Sequence, residues 1–222
     1  MVRLNFLVEG ETEETFVRDL LTPHFSQLEI YCTARRVETK RANGKIYRGG
    51  ITNYEKVKKD LLRWMKEDTN AHFTSMFDLY ALPSDFPKYN ESLGIRDPYK
   101  KVQFLEQSFF EDIEYRRFTP YIQLHEFEAL LFSDVNIIEQ RLKPFQPRTK
   151  LEDLNKILFE CHSPELIDDG IQTAPSKRLL VLYPAYQKRL YGSLISKEIG
   201  LATIQSKCPH FHWWITTLQG LK

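Results

Sequence analysis

The sequence has little that would tie the chain to a membrane or to an oxidising compartment. It holds no run of about 18 apolar residues, and its N-terminus lacks the apolar stretch of a secretion signal. The three cysteines, Cys32, Cys161 and Cys208, are odd in number and far apart. This usage is typical of a reduced chain rather than of a disulfide framework. We therefore expect a cytoplasmic protein without membrane association.

An excess of charge of one sign is absent as well. Lys and Arg total 31 and Asp and Glu total 30, so any affinity for nucleic acid must come from a local patch. Hydrophobic residues make up 42% of the 222 positions and aromatic residues 13%, which excludes global disorder. No internal repeat or low-complexity segment is present. One large domain is expected, or a compact domain with an elaborated second half.

Strand and helix patterns alternate over the first 133 residues. Apolar, β-prone runs predict strands at 2–8, 28–39, 72–82 and 118–124. Helical spacing predicts helices from near Glu11, after a cap at Asn53, over 99–113, and after 124. This order predicts an α/β domain over 1–133, with a roughly four-stranded, mainly parallel sheet flanked by helices. Proline-interrupted helical stretches predict that 134–222 form a helical extension packed on it, so that the chain is one compact unit.

Acidic residues stand where three of the predicted strands end. Glu9 ends the first strand, Asp78 lies toward the end of the third, and Glu126 with Glu128 follows the fourth. In an open α/β sheet the carboxyl ends of the strands form the edge where ligands bind, so these side chains should lie together. Glu13 lies one turn into the first helix and can reach back toward the same place.

Clustered carboxylates repel one another unless a positive charge lies between them. Oxygen ligands of this kind suit Mg²⁺ or Mn²⁺, and two such ions can support an in-line phosphoryl displacement. Acids at a helix start can instead complement the helix dipole, which accounts for Glu14 and leaves Glu11 open between the two roles. Glu9 precedes the helix and is not explained in this way. The predicted metal ligands are Glu9, Glu13, Asp78 and Glu126.

Other polar residues are candidates for chemistry at this edge. His125, next to Glu126, has the position of a general base or a metal ligand, although a lone histidine is more often a packed residue. Lys177 and Arg178 can stabilise charge on a phosphate, or they are solvated residues in the first turn of a helix. The cysteine and histidine spacings at 161–162 and 208–212 fit no common structural zinc pattern.

The strongest basic feature is the segment 35–48. Its turn signal at 43–44 and the glycines at 49–50 predict a hairpin tip or a flexible flap. Charge runs are usually solvated loops, but this one leaves the second strand and its glycines allow it to fold over a substrate. The residues predicted to contact nucleic acid are Arg36, Lys40, Arg41, Lys45, Arg48 and Arg178.

Several stretches resemble known proteins. VEGETEETFV (8–17) resembles the first motif of the Toprim domain, which topoisomerases, primases and the overcoming-lysogenisation-defect nucleases share. MFDLYALPSDFP (76–87), YIQLHEFEALLF (121–132), APSKRL (174–179) and EIGLATIQSKCPHF (198–211) together resemble an uncharacterised bacterial Toprim-like family. Members of that family are often encoded beside an ABC-type ATPase. The resemblance spans nearly the whole chain.

The resemblance implies roles for individual residues. Glu9 corresponds to the general acid/base or metal-ligand glutamate, Glu13 to the second acid of the nuclease branch, and Asp78 to the first Asp of a DxD pair. Tyr80 stands at the second position of that pair. A two-metal site then needs a carboxylate from elsewhere, and the candidates are Asp85, Glu126 and Glu128.

Two functions follow from the resemblance. The first is a Mg²⁺- or Mn²⁺-dependent nuclease of Toprim type, with Glu9, His125 and Lys177 as catalytic residues. It would act on DNA or RNA, together with a partner ATPase, in defence against phage or foreign DNA. The alternative, favoured by Tyr80, is a non-catalytic Toprim-like subunit that binds nucleic acid or the ATPase. A homo-oligomer is compatible with either function.

Overall fold

The computed structural model describes residues 1–42, 45–167, 170 and 172–221, apart from the side chains of 39–42 and 45–48. The strands are β1 (Val2–Val8), β2 (Ile30–Arg36), β3 (Glu38–Ala42), β4 (Lys45–Arg48), β5 (His72–Asp78), β6 (Phe118–Thr119) and β7 (Ile122–Gln123).

Helices occupy most of the remaining chain. They are α1 (Glu11–Phe16), α2 (Thr22–Ser26), α3 (Tyr54–Glu67), α4 (Tyr89–Ser92), α5 (Pro98–Ile113), α6 (Val135–Leu142), α7 (Leu151–Cys161), α8 (Pro175–Leu182), α9 (Ser193–Ile199), α10 (Leu201–Lys207) and α11 (Pro209–Gln219). Two stretches are π-helical, Val17–Leu21 and Lys188–Gly192. Short 3-10 helices lie at Leu79–Ala81, Phe127–Ser133, Lys143–Phe145 and Pro164–Leu166.

The main sheet is parallel and has the order β2-β1-β5-β6, with β7 also pairing with β5. The predicted α/β fold is confirmed, but the sheet has five strands rather than four. Pro120 lies between β6 and β7 and has no N–H for a sheet hydrogen bond, so the predicted strand 118–124 is divided. Next to it, the Ser75 hydroxyl bonds the backbone N–H and carbonyl of Tyr121 in place of a regular ladder.

Helices cover both faces of this sheet. On one face Leu4 and Phe6 of β1 pack with α1, α2 and the C-terminal helices, and the Trp214 ring meets Phe6 edge-on at 5.9 Å. On the other face Leu7 and Phe77 pack with α3 and α5. Among the described residues beyond 134 only helices and loops are found, as predicted. The C-terminal helices therefore supply a large part of the core on one face of the sheet.

The predicted hairpin is confirmed: β3 and β4 pair antiparallel. Its expected tip, Asn43-Gly44, lies outside the described residues. The hairpin is fixed to the end of β1 at both of its bases. The Val37 N–H donates to the Val8 carbonyl at 3.0 Å, and the Gly50 N–H donates to the Glu9 carbonyl at 2.9 Å. The basic segment thus returns to the residue that ends the first strand.

The three cysteines are free thiols. In the part of the chain that the structure describes, no helix combines the length and the apolar character needed to cross a membrane.

Candidate functional site

The ends of β1 and β5 bring the first two acids together. The Glu9 N–H donates to the Met76 carbonyl at 3.3 Å, which continues the pairing of the two strands by one residue. Two residues later along β5, the Asp78 N–H donates to the Glu9 carboxylate at 3.4 Å. Glu9 and Asp78 therefore share one edge of the sheet, as their positions at the strand ends predict.

Gly10 lets the Glu13 carboxylate fold back onto this edge. The Gly10 carbonyl accepts a helical hydrogen bond from the Glu14 N–H at 3.1 Å, so the chain turns into α1 at once. A Cβ atom at Gly10 would lie 2.9 Å from Glu13 Oε2. The backbone here is extended, with φ of −139°. Space rather than backbone conformation therefore favours glycine.

A lysine from the C-terminal half completes the cluster. Lys188 Nζ lies 3.2 Å from Asp78 Oδ2, 3.2 Å from Glu128 Oε2 and 3.6 Å from Glu13 Oε1. The three acidic side chains are buried, whereas the lysine side chain is 39% exposed. Lys188 begins a π-helical stretch that packs on α1, where a Cβ at Gly192 would approach Thr12 Cγ2 to 3.0 Å. We refer to Glu9, Glu13, Asp78, Glu128 and Lys188 as the acidic site.

The acidic site has more negative charge than one ammonium neutralises. Burial and the Glu13 carboxylate raise the pKa of Glu9 to about 7, against the opposing effect of Lys188. Burial also raises the pKa of Asp78 well above its usual range and that of Glu128 above its ordinary value. Burial lowers the pKa of Lys188, but the neighbouring carboxylates outweigh this effect and raise it. The lysine is charged, and Glu9, Asp78 and Glu128 hold protons more tightly than ordinary carboxylates do.

The donor chemistry of the acidic site fits a hard divalent cation. Its oxygens are buried carboxylate oxygens, and Asp78 Oδ1 has no hydrogen-bond partner. The carboxylate oxygens are arranged around the Lys188 ammonium and not around a metal ion. Within the described residues, no three His, Cys, Asp or Glu side chains are placed to hold a metal ion. Glu13, Asp78 and Glu128 instead converge on Lys188.

Glu128, rather than Glu126, supplies the additional carboxylate of the acidic site. The Glu126 carboxylate accepts hydrogen bonds from the N–H and hydroxyl of Ser176, at 2.9 and 3.0 Å, at the start of α8. Asp85 accepts the N–H of Tyr54 at the start of α3. Tyr80 is 56% exposed. Of Asp85, Glu126 and Glu128, it is Glu128 that contacts the Lys188 ammonium together with Asp78.

The other predicted catalytic residues have different surroundings. His125 is buried in a left-handed backbone conformation, with φ of 59°, and its carbonyl accepts the Tyr80 N–H at 3.0 Å. Lys177 is exposed in the first turn of α8. Arg178 donates to the Thr173 carbonyl at 2.6 Å and so holds the loop before α8. The cation that contacts the carboxylates is thus Lys188 and not Lys177.

A cavity of about 440 Å³ opens above the acidic site. Arg36 and Arg189 lie on its rim and pair with α1, Arg36 with Glu14 at 3.0 Å and Arg189 with Glu11 at 3.5 Å. Gly49 and Gly50, at the end of the hairpin, also line it, while the site residues Glu9, Glu13 and Lys188 form its floor. The side chains of Lys40, Arg41, Lys45 and Arg48 lie outside the described part of the chain.

Sequence reasoning missed Lys188 and Arg189. In the sequence these residues are two adjacent basic positions in a proline-interrupted helical region. A solvent-exposed helix has the same pattern, so the sequence alone does not mark them as site residues. Only the packing of Lys188–Gly192 against α1 distinguishes these two residues from other surface lysines and arginines.

Comparisons with solved structures return the C-terminal region of the Xanthomonas campestris pv. campestris OLD protein. A structure phased with platinum is similar over 98% of this chain and 95% of that one, at 18% identity and a TM-score of 0.43. One phased with iodine covers 100% and 99%, at 19% identity and a TM-score of 0.40. No curated protein matches the chain.

A family model described as "Domain of unknown function (DUF4276)" matches residues 8–219. This match includes nearly all of the chain, from the last residue of β1 to the last residue of α11. The chain therefore belongs to the DUF4276 family.

Proposed function

We propose that this protein is a metal-dependent nuclease of Toprim type, which hydrolyses phosphodiester bonds of DNA or RNA with Mg²⁺ or Mn²⁺. One observation carries the proposal. Carboxylates from β5, from the start of α1 and from the segment after β7 converge on a single positive charge at the carboxyl edge of a parallel sheet. Ligands bind at this edge in open α/β sheets. The motif resemblance to Toprim proteins points to the same edge.

Glu9, Glu13, Asp78 and Glu128 are the residues that would hold the cation. When bound, such an ion activates a water and stabilises charge on phosphate oxygens. The pKa of Glu9, raised to about 7 by burial and Glu13, suits a group that takes up or releases a proton near neutral pH. This carboxyl would act as the general acid/base where it does not itself bind the cation, because a bound divalent cation lowers the pKa of its carboxylate ligands.

The basic residues around the cavity would hold the nucleic acid. Arg36 and Arg189 lie on the rim and can pair with phosphate oxygens. The β3–β4 hairpin carries four more basic residues and returns to the Glu9 carbonyl through Gly50. Its position at the cavity supports the role of a phosphate-contacting flap.

The biological setting rests on the motif resemblance alone. It includes an ABC-type ATPase as partner and a role in defence against phage or other foreign DNA. Adding the ATPase encoded nearby to the cleavage assay tests the partnership directly.

A cleavage assay tests the proposed activity. Purified protein is incubated with plasmid, single-stranded DNA and total RNA, each with Mg²⁺, Mn²⁺ or EDTA. We expect cleavage of at least one substrate with metal, and a loss of about a hundredfold or more in Asp78→Asn. Asp153→Asn is the control, because Asp153 lies in the first turn of α7, outside the acidic site. Equal activity in wild type and Asp78→Asn would refute the assignment.

A non-catalytic, nucleic-acid-binding subunit is the second candidate. Two observations favour it: Tyr80 replaces the second Asp of the Toprim pair, and Lys188 lies where the carboxylates converge. This candidate predicts binding of DNA or RNA that depends on the hairpin, without cleavage in any divalent metal.

A further inference from the structure

We propose that Lys188 is a built-in counter-ion that closes the acidic site, and that a divalent cation and the Lys188 ammonium occupy this site alternately. The inference rests on the proposed metal site and adds its regulation. The ammonium would have to withdraw before metal binds, so Lys188 would set the metal concentration at which the protein becomes active.

The contacts of Lys188 Nζ show why the ammonium and a divalent cation would compete for the acidic site. Two carboxylate oxygens lie 3.2 Å from it and a third lies 3.6 Å away, on side chains from three separate elements. A divalent cation held by the same oxygens would lie within a few ångströms of the ammonium. Two positive charges at that distance repel strongly in a partly buried site. The two cations therefore exclude one another.

The surroundings of Lys188 leave room for the withdrawal. Its side chain is 39% exposed, whereas its three partners are buried. The lysine stem is flexible and opens onto the cavity of about 440 Å³ between Arg36 and Arg189. Rotation of the side chain alone moves Nζ toward that rim, while Gly192 keeps the backbone packed against Thr12.

The charge of the acidic site makes the exchange favourable. Glu13, Asp78 and Glu128 surround a single positive charge, and Asp78 Oδ1 has no hydrogen-bond donor. A divalent ion compensates the carboxylates better and has ligand positions left for that oxygen. The apparent affinity for the divalent ion is nevertheless lower than its intrinsic affinity, because the lysine must first be displaced. The same holds for any site whose binding-competent conformation has a low population.

Chemical labelling of the wild-type protein tests the withdrawal without a mutation. An amine-acetylating reagent is applied with EDTA and with saturating Mn²⁺, and the acetylation rate of each lysine is followed by mass spectrometry. We expect Mn²⁺ to increase the rate at Lys188 about tenfold, since release from its carboxylates frees the amine. Lys59, exposed on α3, is the internal control and should not change. An unchanged or lower rate at Lys188 would overturn the inference.

Calorimetric titration of Mn²⁺ tests the competition. Lys188→Met keeps the length of the side chain and removes its charge, and Lys59→Met makes the same change away from the site. We expect Lys188→Met to bind Mn²⁺ about tenfold more tightly than wild type, and Lys59→Met to bind like wild type. Equal or weaker binding by Lys188→Met would overturn the counter-ion role alone. If neither wild type nor Lys188→Met binds Mn²⁺, the proposed metal site fails, and this inference fails with it.

Discussion

Two of the places where the protein buries carboxylates, the ends of β1 and β5 and the region beneath the C-terminal helix α11, differ in what surrounds the acids. Burial raises the pKa of Glu106 and Glu165 beneath α11, just as it raises the pKa of Asp78 and Glu128 in the acidic site. A raised pKa is common at functional sites, but here it marks both places and cannot tell them apart.

Hydrogen-bond donors distinguish the two groups. The Glu165 carboxylate accepts the backbone N–H groups of His210 and Phe211, at 3.0 and 2.9 Å, and the hydroxyl of Tyr99 at 3.2 Å. Glu106 accepts the Ile122 N–H at 2.8 Å and contacts the His210 ring. These acids complete the protein's own hydrogen bonding, including the start of α11.

The acidic site offers its carboxylates few such donors. Glu9 receives one long hydrogen bond from Asp78, and the Asp78, Glu13 and Glu128 carboxylates are drawn together by Lys188. Buried carboxylates whose donors are backbone N–H groups stabilise the fold, because nothing else can satisfy those groups. Carboxylates that meet a movable side chain remain available for another cation. Substitutions in the two groups should therefore differ in their effect on the free energy of unfolding.

Glu165→Gln should be strongly destabilising. The amide has one acceptor oxygen instead of two and brings an NH₂ group toward backbone donors, which leaves buried N–H groups unsatisfied. We expect a loss of about 3 kcal/mol in the free energy of unfolding, and a fall in Tm of about 6 to 12 °C. The loss should be the same with EDTA and with Mn²⁺. A decrease in Tm of less than about 2 °C would show that the hydrogen bonds from backbone N–H groups to Glu165 do not stabilise the fold.

Glu9→Gln should leave the metal-free protein as stable as wild type, or slightly more stable. Removing this charge relieves repulsion from Glu13, so we expect no loss in the free energy of unfolding at neutral pH. The variant should lose the increase in Tm that about 5 mM Mn²⁺ gives wild type by mass action. Melting curves with and without Mn²⁺ measure both effects. Equal Mn²⁺ shifts in wild type, Glu9→Gln and Asp78→Asn would contradict the metal site.

The effect of Glu9→Gln should depend on pH in a defined direction. The folded-state pKa of Glu9 is about 7, above its ordinary value of 4.5, so the folded protein keeps a proton that the unfolded chain releases. This group therefore costs wild type stability as the pH rises from about 4.5 through 7, and glutamine does not titrate. The variant should gain relative to wild type at pH 8 and not at pH 4.5. A difference in Tm that is constant over this range would contradict the raised pKa.

Local signals in the sequence predicted the elements that hold Glu9 and Asp78. The β-prone run up to Val8 and the acids after Gly10 locate the turn into α1 correctly. Asn53 caps α3 as expected, since its side chain accepts the Lys56 N–H at 3.0 Å. Parallel strands then place both acids at one edge. These features depend on residues that are near one another in sequence, because local backbone preferences determine where a strand ends and a helix begins.

Long-range packing decided the rest of the site. Lys188 is 110 residues from Asp78, and no periodic pattern links a π-helical stretch to the end of a strand. Whether Glu126 or Glu128 reaches the acidic site likewise depends on distant residues. Glu128 lies in the 3-10 helix Phe127–Ser133, whereas the Glu126 carboxylate accepts a hydrogen bond from Ser176 of α8. Such pairings follow from the assembled core and not from the local sequence.

Gly10→Ala should have a small effect on stability and a larger one on metal binding. The added Cβ would lie 2.9 Å from Glu13 Oε2, the end of a flexible side chain that can move aside. We expect a change of only about 0.5 kcal/mol in the free energy of unfolding. The displaced carboxylate should weaken Mn²⁺ binding about tenfold in a calorimetric titration. Gly94→Ala is the control, because a Cβ there has no contact closer than 3.9 Å. Unchanged Mn²⁺ affinity in Gly10→Ala would remove Glu13 from the ligand set.

Replacing Lys40, Arg41, Lys45 and Arg48 together with alanine should have the smallest effect on the free energy of unfolding, about 0.5 kcal/mol, because β3 and β4 form a separate two-stranded sheet outside the main one. Binding to nucleic acid should change instead. A residue that neutralises a phosphate contributes about 0.9 to the slope of log K against log salt on duplex DNA, so the magnitude of the slope should fall by about 3.6. The matched control replaces Lys100, Lys143, Lys156 and Lys207, which are exposed lysines on or beside helices outside the hairpin and cavity. It removes the same charge and should retain the wild-type slope, because bulk charge does not form a phosphate-binding surface. Equal slopes in the two variants would show that the hairpin does not contact phosphates, and the acidic site would then need another surface to bring a nucleic acid to it.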